Sequence, residues 1–214
     1  MQAIYCLSGL GADHRAFQKL DLPGYKLIFI KWVIPYKNES MSDYAVRLSS
    51  QIKEEKPILI GLSFGGMLAI EISKLIGTSI VFLISSAKNK SELHPGFSSM
   101  MRWNLTKLIP RPLLHKSNFI TEYFFGVKSK EDKSILAEII ADTDLDFLFW
   151  ALEVMNCWNN DYKPENLVDI HGTSDKIIPY RGLPDRNTIL HGGHLMILDE
   201  ATQISKIILS YLRP

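Results

Sequence analysis

The chain has 214 residues, of which 46% are hydrophobic, 22% charged and 10% aromatic, and its formal net charge is +1. That length fits a single domain able to bury a sizeable core without disulfides or a structural metal. Near-neutral charge with no long basic or acidic run argues against nucleic acid or an anionic membrane surface as partner, and leaves small, weakly charged or uncharged substrates.

Both ends of the redox question are quiet. Cys6 lies in the apolar run Ala3-Ile4-Tyr5-Cys6-Leu7 and reads as a buried thiol, and neither it nor Cys157 belongs to a CxxC motif or a Cys/His cluster. No basic stretch followed by a long apolar one opens the chain, and no run reaches the ~18 apolar residues of a membrane span. A soluble, cytoplasmic protein is the expectation.

In chain order, apolar runs at Gln2–Leu7, Tyr25–Trp32, Pro57–Leu62, Ser79–Ile84, Leu167–His171 and Asn187–Leu190 read as strands. They are nearly continuous rather than alternating, the pattern of strands covered on both faces. Helical spacing separates them. Met41, Ala45, Leu48 and Ile52 recur at helical intervals, with Ser40 or Ser42 as N-cap. A second helix starts near Phe64 and runs through Met67, Leu68, Ile72, Leu75 and Ile76, with Gly77 placed to end it. The last carries Ile204, Ile207, Ile208 and Tyr211 on one face. This repeated strand-helix-strand order predicts a parallel sheet of about six strands with helices on both sides.

Residues 91–160 break the rhythm. They hold no strand pattern, only helical and turn-like sequence with Met100, Met101, Trp103, Phe119, Tyr123, Phe124, Phe125, Phe147, Phe149, Trp150 and Trp158, punctuated by prolines 95, 110 and 112. An inserted helical cap within one domain spanning residues 1–214 is expected, which implies an enclosed, mostly apolar small-molecule ligand.

The central motif is Gly61-Leu62-Ser63-Phe64-Gly65-Gly66, between the strand Ile58-Leu59-Ile60 and a helix. A sharp strand-to-helix turn there lifts the serine clear of the sheet and aims helix N-terminal amides at charge forming beside it. Crowding at such a turn calls for glycine at positions 61 and 65. An activated serine needs a base and a group that orients the base. Asp175 stands in His171-Gly172-Thr173-Ser174-Asp175-Lys176-Ile177-Ile178-Pro179, after one strand, and His194 stands in Gly192-Gly193-His194, after the next. The order Ser63, Asp175, His194 and their places beyond strand C-termini suit a nucleophile, an orienting acid and a base.

Taken together, these segments resemble the α/β-hydrolase superfamily, in particular its small members with a helical cap. The likeness covers most of the chain outside the cap. It implies a serine hydrolase with the Ser63–Asp175–His194 triad, acting on a carboxylic ester or thioester without metal or organic cofactor. It also implies an oxyanion hole made by the backbone N–H of Phe64 and, from the loop after the first strand, of Leu10. Many relatives open that loop with His-Gly, where this chain has Ser8-Gly9. The chain opens on the strand that carries this loop, so two N-terminal strands common in the family are expected to be missing. A serine nucleophile excludes dehalogenase or epoxide-hydrolase chemistry of the kind that uses aspartate. The same triad also serves lyases and carbon–carbon bond hydrolases, and a ligand-binding protein on the same fold is a third reading.

Several residues carry two readings. Asp175 also fits a turn cap, but the other family site for the acid reads Ser85-Ser86-Ala87 and offers none. His191 competes with His194, with the Gly-Gly-His spacing favouring His194. His14 fits a pocket mouth or an open surface, and Asp13 a helix N-cap. Trp103, Trp150 and Trp158 fit packing roles, and Arg102 and Arg111 fit solvated charges better than an anion site.

Overall fold

Each of the six apolar runs becomes a strand: β1 Gln2–Leu7, β2 Tyr25–Phe29, β3 Ile58–Leu62, β4 Ile80–Ile84, β5 Leu167–Gly172 and β6 Arg186–Ile189. The computed structural model describes residues 1–97, 99, 114–182 and 186–212. The strands form one sheet in the order β2-β1-β3-β4-β5-β6, with every neighbouring pair parallel. The chain leaves β1 toward β2 and returns to place β3 on the other side of β1. At this reversal the loops after β1 and β3 diverge, and their divergence opens a crevice at the C-terminal edge of the sheet.

Both faces of the sheet are covered, which is why the strands lack alternation. Ile4, Cys6, Ile58, Ile60, Phe82, Ile84 and Ile170 pack on one side, together with Ile204 and Ile208 of the last helix, α7 Ala201–Leu212. Tyr5, Leu7, Leu59, Val81 and Leu83 point the other way, onto α1 Met41–Ser49 and α2 Phe64–Leu75. A helix of one turn, α6 Met196–Asp199, precedes α7. Burial pushes the Cys6 thiol far above its ordinary range, so it stays protonated and inert.

The element ends differ from the sequence expectation in physically sensible ways. Strand β2 stops at Phe29, and Trp32 leaves the sheet to pack among the tilted rings of Tyr44, Phe64 and Phe147. Helix α1 begins at the Ser40 cap, whose hydroxyl accepts from the Asp43 amide, and ends at Ser49 before reaching Ile52. Helix α2 stops at Leu75 with Ile76 already extended, so Gly77 does not serve as a left-handed cap.

Between β4 and β5 the described residues contain α3 Phe119–Phe125, α4 Lys130–Ala141 and α5 Leu145–Cys157. Helix α4 buries Ile135, Leu136 and Ile139 against one core, while α5 buries Phe147, Ala151 and Met155 against the other. The described part of the segment therefore contributes to the core on both faces of the sheet. Its start is tied down by buried charge: Arg186 donates to Asp169 at 2.6 Å and to Glu92, and Lys88 donates to Asp169 at 2.7 Å. Met100, Met101, Arg102, Trp103, Pro110, Arg111 and Pro112 lie outside the described residues. Among the described residues, no helix is long and apolar enough to cross a membrane.

Candidate active site

Ser63 sits at the tip of the turn between β3 and α2 with φ 52° and ψ −120°. A non-glycine residue held there stores roughly 1–3 kcal/mol of backbone strain, which the surrounding structure must hold in place. The turn is pinned by its own backbone: the Ser63 amide donates to the Ile84 carbonyl at 2.9 Å, and the Ser63 carbonyl accepts from Gly66 N at 2.9 Å. A Cβ at position 65 would lie 2.2 Å from the carbonyl oxygens of Leu7 and Ser8, so glycine is required there.

The side chains that the sequence singled out converge on this serine. His194 Nε2 lies 2.9 Å from Ser63 Oγ, and His194 Nδ1 lies 2.8 Å from Asp175 Oδ2. The other carboxylate oxygen, Asp175 Oδ1, accepts from the amides of Ile177 and Ile178, each at 2.9 Å. Asp175 and His194 are both buried. Burial alone would raise the Asp175 carboxyl. The charge of His194 and the hydrogen bonds from His171 and His194 outweigh it and hold the group well below the ordinary carboxylate range. The carboxylate is thus ionised, and it favours the His194 tautomer that carries a proton on Nδ1 and a lone pair toward Ser63.

His194 is also fixed from the segment between β4 and β5. The Leu195 amide donates to the Phe125 carbonyl at 2.9 Å, and the Phe125 ring meets the imidazole edge-on with centroids 5.8 Å apart. Helix α3 ends on Gly126 at φ 74°, where an added Cβ would stand 2.7 Å from the Gly193 Cα. Glycine at both positions lets the two backbones touch.

The loop after β1 faces the serine from the other side. A Cβ at Gly9 would fall 3.4 Å from Ser63 Cβ, and Leu10 lines the same cavity as Ser63. The buried Ser8 hydroxyl donates to the Ala12 carbonyl at 2.6 Å and shapes this loop. The Phe64 amide is the first of α2, and the Phe64 ring is fully buried edge-on to Phe147 and Trp150.

A cavity of about 280 Å³ opens at Ser63 and His194. Its described walls are mostly aliphatic, with Leu62, Leu136, Ile139, Ile140, Leu148 and Ile177 prominent, and Thr121, Thr143 and Lys116 adding polar atoms. The Thr143 hydroxyl is already engaged by the Ile139 carbonyl at 2.8 Å. Among the described residues, no group of three or more His, Cys, Asp or Glu side chains is arranged to hold a metal ion.

The remaining candidates fall elsewhere. His191 is exposed, takes φ 59°, and donates its amide to Thr173 Oγ1. Asp13 caps the short 3-10 turn His14–Phe17, and the His14 side chain is 66% exposed and away from the cavity. Trp150 donates to the Glu39 carbonyl at 3.0 Å and Trp158 to Glu71 at 2.7 Å, so both serve packing. Phe119, Tyr123 and Phe124 are exposed.

By sequence, no family model and no curated protein matches the chain. By structure, it is similar to an esterase from Exiguobacterium antarcticum, with a TM-score of 0.79 and 16% identity over 100% of this chain and 92% of that one. It is also similar to bromoperoxidase from Bacillus anthracis, with a TM-score of 0.75 and 17% identity over 100% and 92% of the two chains. The chain has the α/β-hydrolase fold. The meta-cleavage product hydrolase of Pseudomonas fluorescens IP01 shares this fold too, with a TM-score of 0.66 and 16% identity over 99% of this chain and 90% of that one.

Within the α/β-hydrolase fold, two neighbours of the site were not singled out by sequence. His171 had a place in the His-Gly-x-x-Asp segment but no role of its own. Ser86 stood only where an acid was missing, yet its hydroxyl reaches the Ser63 carbonyl.

Proposed function

We propose that this chain is a serine hydrolase that cleaves a small carboxylic ester or thioester through an acyl-enzyme on Ser63. The observation that carries the reading is the unbroken line Ser63 Oγ–His194 Nε2, His194 Nδ1–Asp175 Oδ2, at 2.9 and 2.8 Å, opening on an apolar cavity.

In the proposed reaction His194 Nε2 takes the Ser63 proton as Oγ attacks the carbonyl carbon. Asp175, buried and ionised, stabilises the imidazolium that forms. The carbonyl oxygen becomes an oxyanion facing the Phe64 and Leu10 amides, and such donors are each worth about 3 kcal/mol in related chemistry. His194 then hands its proton to the departing alcohol or thiol, leaving an acyl group on Ser63. Water enters, gives a proton to His194 and attacks the acyl carbon, and return of that proton to Oγ releases the carboxylic acid. These steps call on no metal or organic cofactor. Residues 91–160 act in this scheme as a helical cap, with α3 to α5 closing the cavity over the acyl or alcohol portion. A cavity at the small end of ligand sites suits a compact, mostly apolar substrate.

The test is a pre-steady-state measurement with p-nitrophenyl esters and acyl thioesters of graded chain length, with mass analysis of the quenched protein. A burst of leaving group and an acyl adduct on the Ser63 peptide are expected. Turnover that persists at the wild-type rate in Ser63→Ala would refute the acyl-enzyme.

A further inference from the structure

His171 is the second histidine on the Asp175 carboxylate. It lies in β5, four residues before Asp175, and is fully buried. Its Nε2 lies 2.8 Å from the Ile178 carbonyl oxygen and 3.4 Å from Asp175 Oδ2, the same oxygen that meets His194. Both of those neighbours only accept, so Nε2 carries a proton and divides it between them. Nδ1 is buried with no hydrogen-bond partner among the described residues. A proton there would be a buried donor with nothing to bond, which makes the ring neutral with its single proton on Nε2.

The same contact shapes the turn. The Ile178 carbonyl held by His171 belongs to the residue whose amide, with that of Ile177, donates to Asp175 Oδ1. One N–H therefore fixes the far end of the turn and touches the carboxylate it presents. Among the described residues, the titratable or charged groups facing this carboxylate are His171 and His194, while the neighbouring Lys176 turns its ammonium onto the Tyr123 ring, 4.3 Å from its centroid.

We propose that His171 is a positioning residue that acts through Asp175, holding its turn and carboxylate so that Oδ2 points at His194. The proposal rests on the triad reading of this site. Without the His171 donor, the carboxylate directs more of its charge at His194 and favours the imidazolium. The neutral base that Ser63 needs then forms only at higher pH.

The experiment compares the full-length wild type with His171→Gln and His171→Leu. A glutamine amide can donate from near the Nε2 position, and leucine fills space without donating. In wild type, nitrogen NMR of labelled histidine is expected to find the His171 proton on Nε2, and a proton on Nδ1 would overturn the proposal. At about pH 7 the fluorophosphonate labelling rate of Ser63 is expected to drop about tenfold in His171→Leu, the size of one lost hydrogen bond. Its acid limb moves to higher pH, and His171→Gln restores most of both. A leucine variant that keeps the wild-type rate and acid limb, or a glutamine variant that falls as far as leucine, overturns the proposal. Should the leucine variant not fold, the glutamine variant and the wild-type tautomer decide. A further readout does not depend on turnover: the proton between His194 Nδ1 and Asp175 should exchange with water faster in His171→Leu than in the other two. Equal exchange in all three overturns the positioning role even if Ser63 proves unreactive, whereas unreactive Ser63 with the expected exchange pattern counts against the hydrolase reading alone.

Discussion

The Ser86 hydroxyl donates to the Ser63 carbonyl at 2.7 Å, so the loop after β4 braces the strained turn after β3. Ser86 is fully buried, and the Ser63 carbonyl also accepts from Gly66 N. Replacing Ser86 with alanine should cost about 1 kcal/mol of stability, the usual worth of one such bond. It should also slow Ser63 labelling, because the turn that aims Oγ loses a brace. Thermal melts and labelling rates on Ser86→Ala check both, and a variant that loses stability but labels at the wild-type rate would confine Ser86 to a structural role.

Gly65 meets backbone on the side where a methyl group would go. Its contacts are the carbonyl oxygens of Leu7 and Ser8, at 2.2 Å from a built Cβ, and backbone cannot swing aside as a side chain can. Gly65→Ala is therefore predicted to cost more than about 4 kcal/mol, an exceptional value for one methyl group. The outcome to measure is soluble yield and melting temperature. A well-folded, fully labelled variant would show that the loop after β1 sits farther from α2 than described.

A carboxyl pair joins α4 to the short helix after His194. Burial, and then the hydrogen bond and charge of Asp132, push Asp199 up to about 6. Asp132 itself is held down, against its burial, by hydrogen bonds from Lys19 and Ser129 and by its contact with Asp199. An acid with a raised folded-state pKa supports the fold fully below its unfolded value, near 3.9, and loses that support as pH rises through its folded value. Asp199→Asn mimics the protonated form. Its melting temperature should exceed wild type at about pH 8, with the gain shrinking toward pH 4. An equal difference at both pH values would assign the effect to packing.

Leu148 of α5 lines the cavity beside Ile140 and Thr143. Leu148→Trp adds bulk to a space of about 280 Å³, and should penalise long acyl chains more than short ones. The readout is the ratio of kcat/KM for p-nitrophenyl octanoate to that for the acetate. A tenfold fall in this ratio corresponds to about 1.4 kcal/mol of lost transition-state binding. An unchanged ratio would mean that the acyl chain lies outside this cavity.

What the sequence made legible was local or periodic. Continuous apolar runs such as Ile58-Leu59-Ile60 mark strands buried on both faces, and the glycines around Ser63 mark a turn with no room for side chains. The roles of His171 and Ser86 were hidden because each depends on an atom brought close only by the sheet, the Ile178 carbonyl and the Ser63 carbonyl. Trp32 misled for the same reason: its apolar neighbours continue the β2 pattern, but it packs outside the sheet against Tyr44, Phe64 and Phe147. Leu10 was reached only through family likeness, since a backbone donor leaves no side-chain signature.

The central claim is that His194 and Asp175 activate Ser63, and covalent labelling with a fluorophosphonate reads it most directly. Wild type should be labelled at Ser63, Ser63→Ala not at all, and His194→Ala and Asp175→Asn at rates reduced by about 10³-fold or more. Folded wild type that resists the probe, or labelling that survives in Ser63→Ala, would contradict the account.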